Sequence, residues 1–295
     1  MDIVHAGLMD WGENLAAHRQ GGMAHKVLFE GEEGAPDNYV LVLANESSSY
    51  YSPRHRHAWD QVRFCLQGAV PIGGKTEVAA GEIAYFPEGV PYGPQEGGTD
   101  RVVLLLQFGG ASGLGYLSAA QLRGAREALQ AQGHFEKGVF RRTSGDGPKN
   151  QDAYEAIWRH VTGRPIVYPK PRYKAPVVIR PDGFAWRETG QPGVRARALG
   201  RFPERGLALD LIAVQAGAGY DAQVCGDLRL VFVREGRGTC QGEAFHRQSA
   251  IRLHPGEGAS VLAEADTELL VIAAPPLARA GPAAAALERE AEPAL

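Results

Sequence analysis

Short apolar runs, each closed by a turn residue, constrain the fold of this chain more than any other feature. The chain has 38 glycines and 19 prolines in 295 residues, and these residues interrupt segments rich in Val, Ile, Tyr and Phe. Such runs are typical of strands in a β-sandwich or barrel. They form two groups along the chain: 26–29, 39–43, 62–66, 83–86 and 102–108, then 177–179, 207–214, 228–233, 250–253 and 268–272. The grouping predicts a mainly β protein with two β units.

The stretch between the two groups has helical periodicity instead. Ser118 is a candidate N-cap for a helix over 119–132, and Asp152 is a candidate N-cap for a second helix that ends near Gly163. Four prolines in 164–176 then predict a stiff linker. The predicted organisation has five parts: an N-terminal arm at 1–35, a first barrel at 36–112, a helical connector and linker at 113–176, a second barrel at 177–276 and a C-terminal tail at 277–295.

Composition excludes several classes of function. Thirty-one basic against 34 acidic residues give a net charge of -3, so the chain lacks the basic excess that nucleic-acid binding needs. Neither a signal-peptide run nor an apolar membrane span occurs, which predicts a cytoplasmic protein with no membrane partner. Three cysteines without CxxC spacing predict free thiols. Phosphate-loop and dinucleotide fingerprints are absent, so we expect no nucleotide cofactor.

One segment combines residues whose chemistry points to a site. His55 and His57 form an HxH pair, followed by Gln61 and, after six intervening residues, by Gly68; a second segment carries Gly81, Pro87, Gly89 and Tyr92. Residues two apart on a strand face the same side, so the two imidazoles can meet at one point inside a barrel. The glycines and the proline suit the turns that return Tyr92 toward the same point.

These two segments resemble the paired motifs of the cupin superfamily, HxHxxxE before a glycine and GxxxxxPxGxxH, over about forty residues. The resemblance implies double-stranded β-helix (jelly-roll) barrels and a divalent metal, Fe, Mn, Ni, Cu or Zn, held in the first barrel by His55, His57, Gln61 and Tyr92. Gln61 and Tyr92 replace the usual glutamate and histidine, so metal binding and a metal-free polar pocket both stay open. The second half carries Gln223, Cys225, Arg229 and Ala259 at the ligand positions, which predicts a bicupin whose second barrel is degenerate.

Neighbouring residues are candidates for substrate contact. Alternation along the strand predicts that Arg63 and Cys65 face the barrel interior with Gln61. A buried guanidinium needs a partner, either a protein carboxylate such as Asp60 or a substrate anion. Trp59 and Tyr51 are candidates for an aromatic mouth, and we predict both, with Arg63 and Cys65, as substrate contacts.

The leading functional hypothesis is a bicupin enzyme for a small aromatic or carboxylated molecule. The fold resemblance leaves dioxygenase, decarboxylase, isomerase and cyclase chemistry open. Tyr92, Arg63 and His57 are the predicted catalytic residues, with Tyr92 acting as an acid or base, as a metal ligand or as a plug. The alternatives are a non-catalytic module that binds a metabolite and a purely structural protein. Barrels of this type often pair through edge strands, so the resemblance implies a homodimer.

Overall fold

The computed structural model describes residues 1–19, 21–96, 98 and 100–277. The chain divides into two compact units, and strands dominate both. The first unit consists of residues 11–178, and the second joins residues 1–10 to the segment that starts at residue 179. Among the described residues, no helix has the length and apolar character needed to cross a membrane.

The first unit is built on a six-stranded sheet in the order β12-β7-β4-β8-β3-β2. Antiparallel ladders join β2, β3, β8, β4 and β7. A hairpin of β5 and β6 and a small sheet of β9, β10 and β11 accompany it. The strands are β2 Met23–Glu30, β3 Tyr39–Glu46, β4 Trp59–Gln67, β5 Ala69–Gly73, β6 Thr76–Ala79, β7 Ile83–Phe86, β8 Arg101–Gly109, β9 Gly133–Glu136, β10 Val139–Arg142, β11 Asn150–Asp152 and β12 Val177–Ile179.

Strand β4 lies at the centre of this sheet and carries the polar residues of the motif. Seven successive residues from its start are buried, so both faces of the strand are covered. Gly68 ends the strand with φ +77°, and a Cβ there would lie 2.9 Å from the Asp100 carbonyl oxygen, so glycine is required. Since β4 pairs with β7 and β8, Gln61 and Arg63 are held by neighbours on both sides.

The segment predicted as a connector belongs to the first unit. Helices α1 Ala119–Gln130 and α2 Ala153–Thr162 begin at the predicted caps, with Ser118 in a capping box and Asp152 accepting from two backbone N–H groups. Apolar residues of both helices, including Leu122 and Ile157, pack into the same core cluster as the barrel strands. Their amphipathic faces are buried against the barrel, so this segment is a wall of the first unit and not a free linker.

The second unit repeats the strand order of the first. Its main sheet runs β1-β20-β17-β22-β15-β14-β13, beside a four-stranded sheet β16-β21-β18-β19. Its strands are β1 Asp2–His5, β13 Arg187–Glu188, β14 Val194–Phe202, β15 Leu207–Val214, β16 Gly219–Ala222, β17 Leu228–Glu235, β18 Arg237–Cys240, β19 Glu243–His246, β20 Ser249–Leu253, β21 Ala259–Ala263 and β22 Thr267–Ala274. Strand β17 occupies the central position that β4 has in the first unit, and Gly236 after it also has positive φ, +96°.

These assignments confirm the predicted fold class of two jelly-roll barrels and correct two of the predicted boundaries. Residues 1–35 are not a separate arm, because β1 pairs with β20 of the second unit and β2 pairs with β3 of the first. Residues 177–178 do not open the second barrel, because β12 lies beside β7 in the first unit's sheet. The predicted tail lies outside the described residues except for Leu277.

Candidate functional site

A cavity of about 70 Å³ lies inside the first barrel and is lined by the motif residues. His55, His57, Arg63 and Tyr92 form part of its wall. The rest of the wall comes from the segment before β2, from strands β2, β3, β4 and β8, and from residues of α1 and α2. The other lining residues are Leu15, Ala16, His18, Arg19, Met23, His25, Val40, Val42, Glu46, Tyr50, Trp59, Leu105, Gln107, Tyr116, Leu122 and Tyr154.

The HxH pair lies just before β4 and not on the strand itself. His55 forms an isolated antiparallel bridge with Tyr92, in which each backbone N–H donates to the other residue's carbonyl at 2.9–3.0 Å. The predicted convergence still holds, because the Nε2 atoms of His55 and His57 lie 3.1 Å apart. The backbone bridge, rather than strand alternation, therefore positions the imidazoles opposite Tyr92.

Gly89 gives the loop before Tyr92 its course. Its φ is +76°, and a Cβ at this position would lie 2.2 Å from the Pro169 carbonyl oxygen, so only glycine fits. The Gly89 N–H donates to the His57 carbonyl at 2.8 Å. The turn predicted from the sequence thus ties the second motif to the first by backbone contacts as well as by side chains.

The Tyr92 hydroxyl is the centre of a buried hydrogen-bond network. Its oxygen lies 3.0 Å from His55 Nε2 and 2.8 Å from His57 Nε2. Gln61 Nε2 donates to it at 3.2 Å and Arg63 Nη2 at 3.0 Å. Arg63 Nη2 also donates to Gln61 Oε1 at 3.1 Å. All five motif residues therefore meet around a single phenolic oxygen.

The contacts of this network determine which nitrogens carry protons. Burial, then the charge of Arg19, lowers the pKa of His55 well below its ordinary value; burial, then His55, does the same for His57. Both rings are neutral. His55 Nδ1 lies 2.6 Å from the Pro53 carbonyl and must donate there, so its Nε2 is an acceptor. Two unprotonated nitrogens would repel at 3.1 Å, so His57 carries its proton on Nε2.

This arrangement leaves His57 Nδ1 with a free lone pair. Within the described part of the chain this buried nitrogen has no hydrogen-bond partner. Tyr92 then donates its hydroxyl proton to His55 Nε2, because the other groups around its oxygen are donors. An unprotonated, desolvated imidazole nitrogen beside a cavity has the properties of a general base.

Among the described residues no carboxylate forms an ion pair with the buried guanidinium of Arg63; Glu46, in the same cavity wall, acts on its charge only from beyond ion-pair distance. Asp60, the predicted protein partner, instead accepts from Tyr85 Oη and the Glu88 N–H, both at 2.7 Å. Arg63 is 5% exposed, and its Nη1 has no hydrogen-bond partner within the described ranges. Of the two alternatives for the partner of Arg63, a protein carboxylate such as Asp60 or a substrate anion, the Asp60 pair is therefore not formed.

The two other charged side chains that line the cavity, Arg19 and Glu46, are each paired. Arg19 pairs with Asp152 at 2.7 Å, and Arg101 pairs with Glu46. The neutral imidazoles add nothing, so the cavity has one net positive charge, on Arg63. A lone buried charge is costly unless a partner neutralises it, and an anion that enters the cavity would do so.

Comparison with solved structures places the fold. One match is a structure from Nostoc punctiforme described as a "putative dioxygenase", with a TM-score of 0.59 and 10% identity over 95% of this chain and 84% of that chain. A second is protein Ylba from E. coli, with a TM-score of 0.58 and 8% identity over 95% of this chain and 92% of that chain. A third is oxalate decarboxylase from Bacillus subtilis, with a TM-score of 0.56 and 13% identity over 93% of this chain and 76% of that chain. The chain has the bicupin fold. No protein-family model matches the sequence, and no curated protein matches it.

The donor set of this bicupin does not suit a divalent metal. The oxalate decarboxylase of B. subtilis is described with Mn(II) centres. Here the described residues contain no group of three or more His, Cys, Asp or Glu that could hold a metal ion. Gln61 Oε1 already accepts from Arg63, whose guanidinium lies 3.0 Å from Tyr92 Oη. A dication between the imidazoles would face this guanidinium without a carboxylate ligand, which Coulomb repulsion disfavours.

Two of the predicted substrate contacts lie away from the cavity of the bicupin's first barrel. Tyr51 does not line it, and the adjacent Tyr50 does. Cys65 packs in the core, its thiol donates to the Gln67 and Gly68 carbonyls at 3.4 Å, and burial raises its pKa to about 11. Trp59 does line the cavity and packs against the His57 ring at an interplanar angle of 41°, with ring centroids 4.0 Å apart.

Several residues that line the cavity were not predicted from the sequence. His18 and Arg19 come from the segment that was predicted as an arm, and Tyr116 and Tyr154 come from the predicted connector. None belongs to the motif. For Arg19 the sequence held one indirect indication: its ion-pair partner, Asp152, was already singled out as the N-cap of the second helix.

The ligand positions of the bicupin's second barrel carry different contacts. Arg229, on β17, donates to the Glu257 carbonyl, and the Cys225 thiol lies 3.9 Å from the Asp227 carbonyl. Gln223 donates to the Asp221 carboxylate. These side chains bond locally rather than to a common point, in contrast to the network around Tyr92.

Proposed function

We propose that the first barrel binds a small carboxylate on Arg63 and transfers a proton to or from it without a metal. One observation carries this proposal: Arg63 is buried at the wall of a cavity and has no carboxylate partner among the described residues. A guanidinium recognises carboxylates through two parallel donors. Arg63 Nη1, which has no partner in the described part of the protein, is the donor that a ligand would take up.

The size of the cavity restricts the ligand. A cavity of about 70 Å³ is less than half of the roughly 150 Å³ that accommodates benzene. Of the two ligand classes expected from the sequence, aromatic and carboxylated, we therefore favour small aliphatic carboxylates. The walls are mixed, with Trp59, Leu105 and Leu122 beside the polar cluster, which suits a short carbon chain with a charged end.

The hydrogen-bond network supplies a route for the proton. His57 Nδ1 takes a proton from a carbon next to the substrate's carbonyl group, and Arg63 stabilises the negative charge that develops on oxygen. His57 then passes its Nε2 proton to the Tyr92 oxygen, and Tyr92 passes its own proton to His55 Nε2. His55, whose Nδ1–H is bonded to the Pro53 carbonyl, holds this proton only in transit, because burial and the charge of Arg19 lower its pKa.

His55 can exchange the proton with solvent. Besides the inner cavity it lines a second, outer cavity of about 330 Å³, together with Arg54, Arg56 and Tyr168. His55, which is half-buried, therefore lies between the inner cavity and the outer cavity. Proton abstraction next to a carbonyl is the first step of isomerisation and of related carbon-acid reactions, which places the reaction among those expected from the sequence.

The experiment measures binding and proton transfer separately. Calorimetry with acetate, propionate and benzoate tests the carboxylate site: the wild type should bind the small acids and reject benzoate, and Arg63→Met should bind none. Incubation of pyruvate with the protein in D₂O, followed by proton NMR of the methyl group, tests the base. Exchange should be lost in Tyr92→Phe and kept in His160→Gln, which changes an exposed histidine of α2.

The possible outcomes distinguish the functional classes. Binding of small acids without exchange would favour the alternative of a non-catalytic metabolite-binding module. Failure of the wild type to bind any small carboxylate would refute the site. Stoichiometric metal in the purified protein, lost together with carboxylate binding in His57→Ala, would restore the metal-dependent hypothesis.

We also propose that the protein is a cytoplasmic homodimer. Cys65, Cys225 and Cys240 are free thiols, which suits a reducing compartment. Sedimentation velocity of the purified chain tests the dimer, and a single species at the monomer mass of 31.7 kDa would contradict it.

A further inference from the structure

His18 is an unused histidine in the wall of the candidate site. It lies in the segment before β2, is 8% exposed and lines the same cavity as His57 and Arg63. Its ring packs against the Tyr154 ring with centroids 5.9 Å apart. The next residue, Arg19, donates to Asp152 at 2.7 Å and to the Gly138 carbonyl at 3.2 Å. These bonds hold the segment that places His18 in the wall.

His18 forms no side-chain hydrogen bond within the described part of the chain, but its ring nitrogens are not fully enclosed, and the residue also lines an outer cavity with Glu13 and Arg126. The nearby histidine of β2, His25, differs. His25 lines the same cavity, but its Nδ1 accepts from the Leu15 N–H at 3.1 Å and lies 3.3 Å from the Glu13 carbonyl. His25 therefore has a structural role that its contacts explain. The described contacts of His18 give it no such structural role, and its place in the cavity wall leaves its ring nitrogens available to a ligand.

The charge state of His18 limits what it can bind. Burial, then the charges of Arg19 and Arg126, lowers its pKa well below the ordinary value. A neutral imidazole offers one N–H donor and one acceptor. It cannot serve as a second cation for a carboxylate, but it matches a hydroxyl or carbonyl group.

We propose that His18 recognises a second polar group on the bound acid, so that the site selects short 2-hydroxy or 2-oxo acids over unsubstituted carboxylates. The proposal rests on the proposed function, since Arg63 must first hold the carboxylate. In a cavity of about 70 Å³, a ligand of a few heavy atoms anchored on Arg63 has little space between its remaining atoms and the other walls. The oxygen on its second carbon takes the hydrogen bond that His18 lacks within the described protein.

A ligand-and-variant cycle tests this contact. Acetate and glycolate differ by one hydroxyl group, and calorimetry gives the dissociation constant of each for the wild type, His18→Leu and His18→Gln. We expect the wild type to prefer glycolate about tenfold, as one additional hydrogen bond of roughly 1.4 kcal/mol predicts. His18→Leu should bind both acids equally, and His18→Gln, which keeps a donor and an acceptor, should restore part of the preference.

His160→Leu is the matched control, because His160 is exposed on α2 and its removal should leave the preference unchanged. Acetate binding that persists in His18→Leu shows that this variant is folded and that the carboxylate site is intact. Equal affinity of the wild type for both acids, or a preference that survives in His18→Leu, would overturn the role of His18 and leave the anion site standing. Failure of both acids to bind the wild type would overturn the anion site and this proposal together.

Discussion

Replacement of Arg63 by methionine should make the ligand-free protein more stable while it removes carboxylate binding. Methionine preserves the length of the apolar stem, so the change removes a charge and not much volume. Buried ions cost several kcal/mol each, and their replacement by apolar residues often stabilises a protein by about 1–4 kcal/mol. Among the described residues, the charge of Arg63 is offset by hydrogen bonds to Gln61 and Tyr92, by ring contacts with Phe86 and Tyr92 at 4.9 and 5.2 Å, and by the more distant charge of Glu46.

The single variant understates this gain because it leaves Gln61 Oε1 buried without its two donated bonds. An unsatisfied buried acceptor costs about 1–3 kcal/mol. Arg63→Met combined with Gln61→Leu removes that cost and should reach the full increase. At roughly 2–4 °C per kcal/mol for a unit of this size, the double variant should melt several degrees above the wild type, and Arg63→Met alone should lie between them.

Thermal unfolding with and without acetate is the assay. Acetate at about 100 times its dissociation constant should stabilise the wild type by roughly 2.7 kcal/mol and leave both variants unchanged. Arg187→Met, at an exposed position of β13, controls for the loss of an arginine. A double variant that melts below the wild type and still responds to acetate would refute the reasoning, because Arg63 would then be a satisfied structural residue.

Three further predictions concern the same site. Tyr92→Phe removes only the oxygen that links the two imidazoles, so pyruvate exchange should fall roughly 10²–10⁴-fold while acetate affinity changes less than tenfold; unchanged exchange would make Tyr92 a packing residue. The free energy of unfolding should fall as the pH drops below about 6.5, because the buried histidines, whose folded pKa is lowered, stay neutral while their unfolded counterparts gain protons; each contributes up to roughly 1.4 kcal/mol per pH unit. Denaturant titrations from pH 8 to 5 measure this dependence, and His18→Gln should reduce its slope. A profile that does not change with pH would contradict burial of these histidines in the neutral form. Gln61→Glu should weaken acetate binding at least tenfold, because the new carboxylate pairs with Arg63 at the 3.1 Å contact; Gln61→Asn, which stays neutral, is the control, and equal weakening in both would point to packing instead of charge.

The sequence predicted the parts of this structure that depend on local pattern. Glycine and proline punctuation located the strands, and Ser118 and Asp152 began both helices as expected. The motif also indicated which side chains meet, because His55, His57, Gln61, Arg63 and Tyr92 surround one oxygen. Period, capping and turn chemistry act within a few residues, so they can be recognised without knowledge of the tertiary fold.

Features that depend on contacts distant in sequence could not be predicted. Strand β1 pairs with β20, about 245 residues away along the chain, and no local pattern carries that register. His18 and Tyr154 reach the cavity only because the segment before β2 and helix α2 pack on the barrel. Asp60 was one of two alternatives for the partner of Arg63, but residues three apart on a strand lie on opposite faces, and the Asp60 carboxylate instead accepts from Tyr85. For these buried polar side chains, closeness in sequence did not predict the hydrogen-bond partner, because the partner depends on which residues the fold buries together.

The charge of the site links the cupin motif to the chemistry proposed here. A cupin centre that holds a divalent cation with one glutamate and neutral histidines has a net charge of about +1. In this chain neutral Gln61 stands at the glutamate position, and Arg63, two residues further along β4, contributes +1. The net charge that an anionic ligand would meet in this site is therefore similar to that of the metal centre. A guanidinium, however, cannot coordinate oxygen or act as a Lewis acid. What it can do is orient a carboxylate and stabilise negative charge on oxygen. Under the proposed function the residues at the ligand positions are consistent with one another: Arg63 would bind the anion, and proton transfer through His57, Tyr92 and His55 would take the place of metal chemistry.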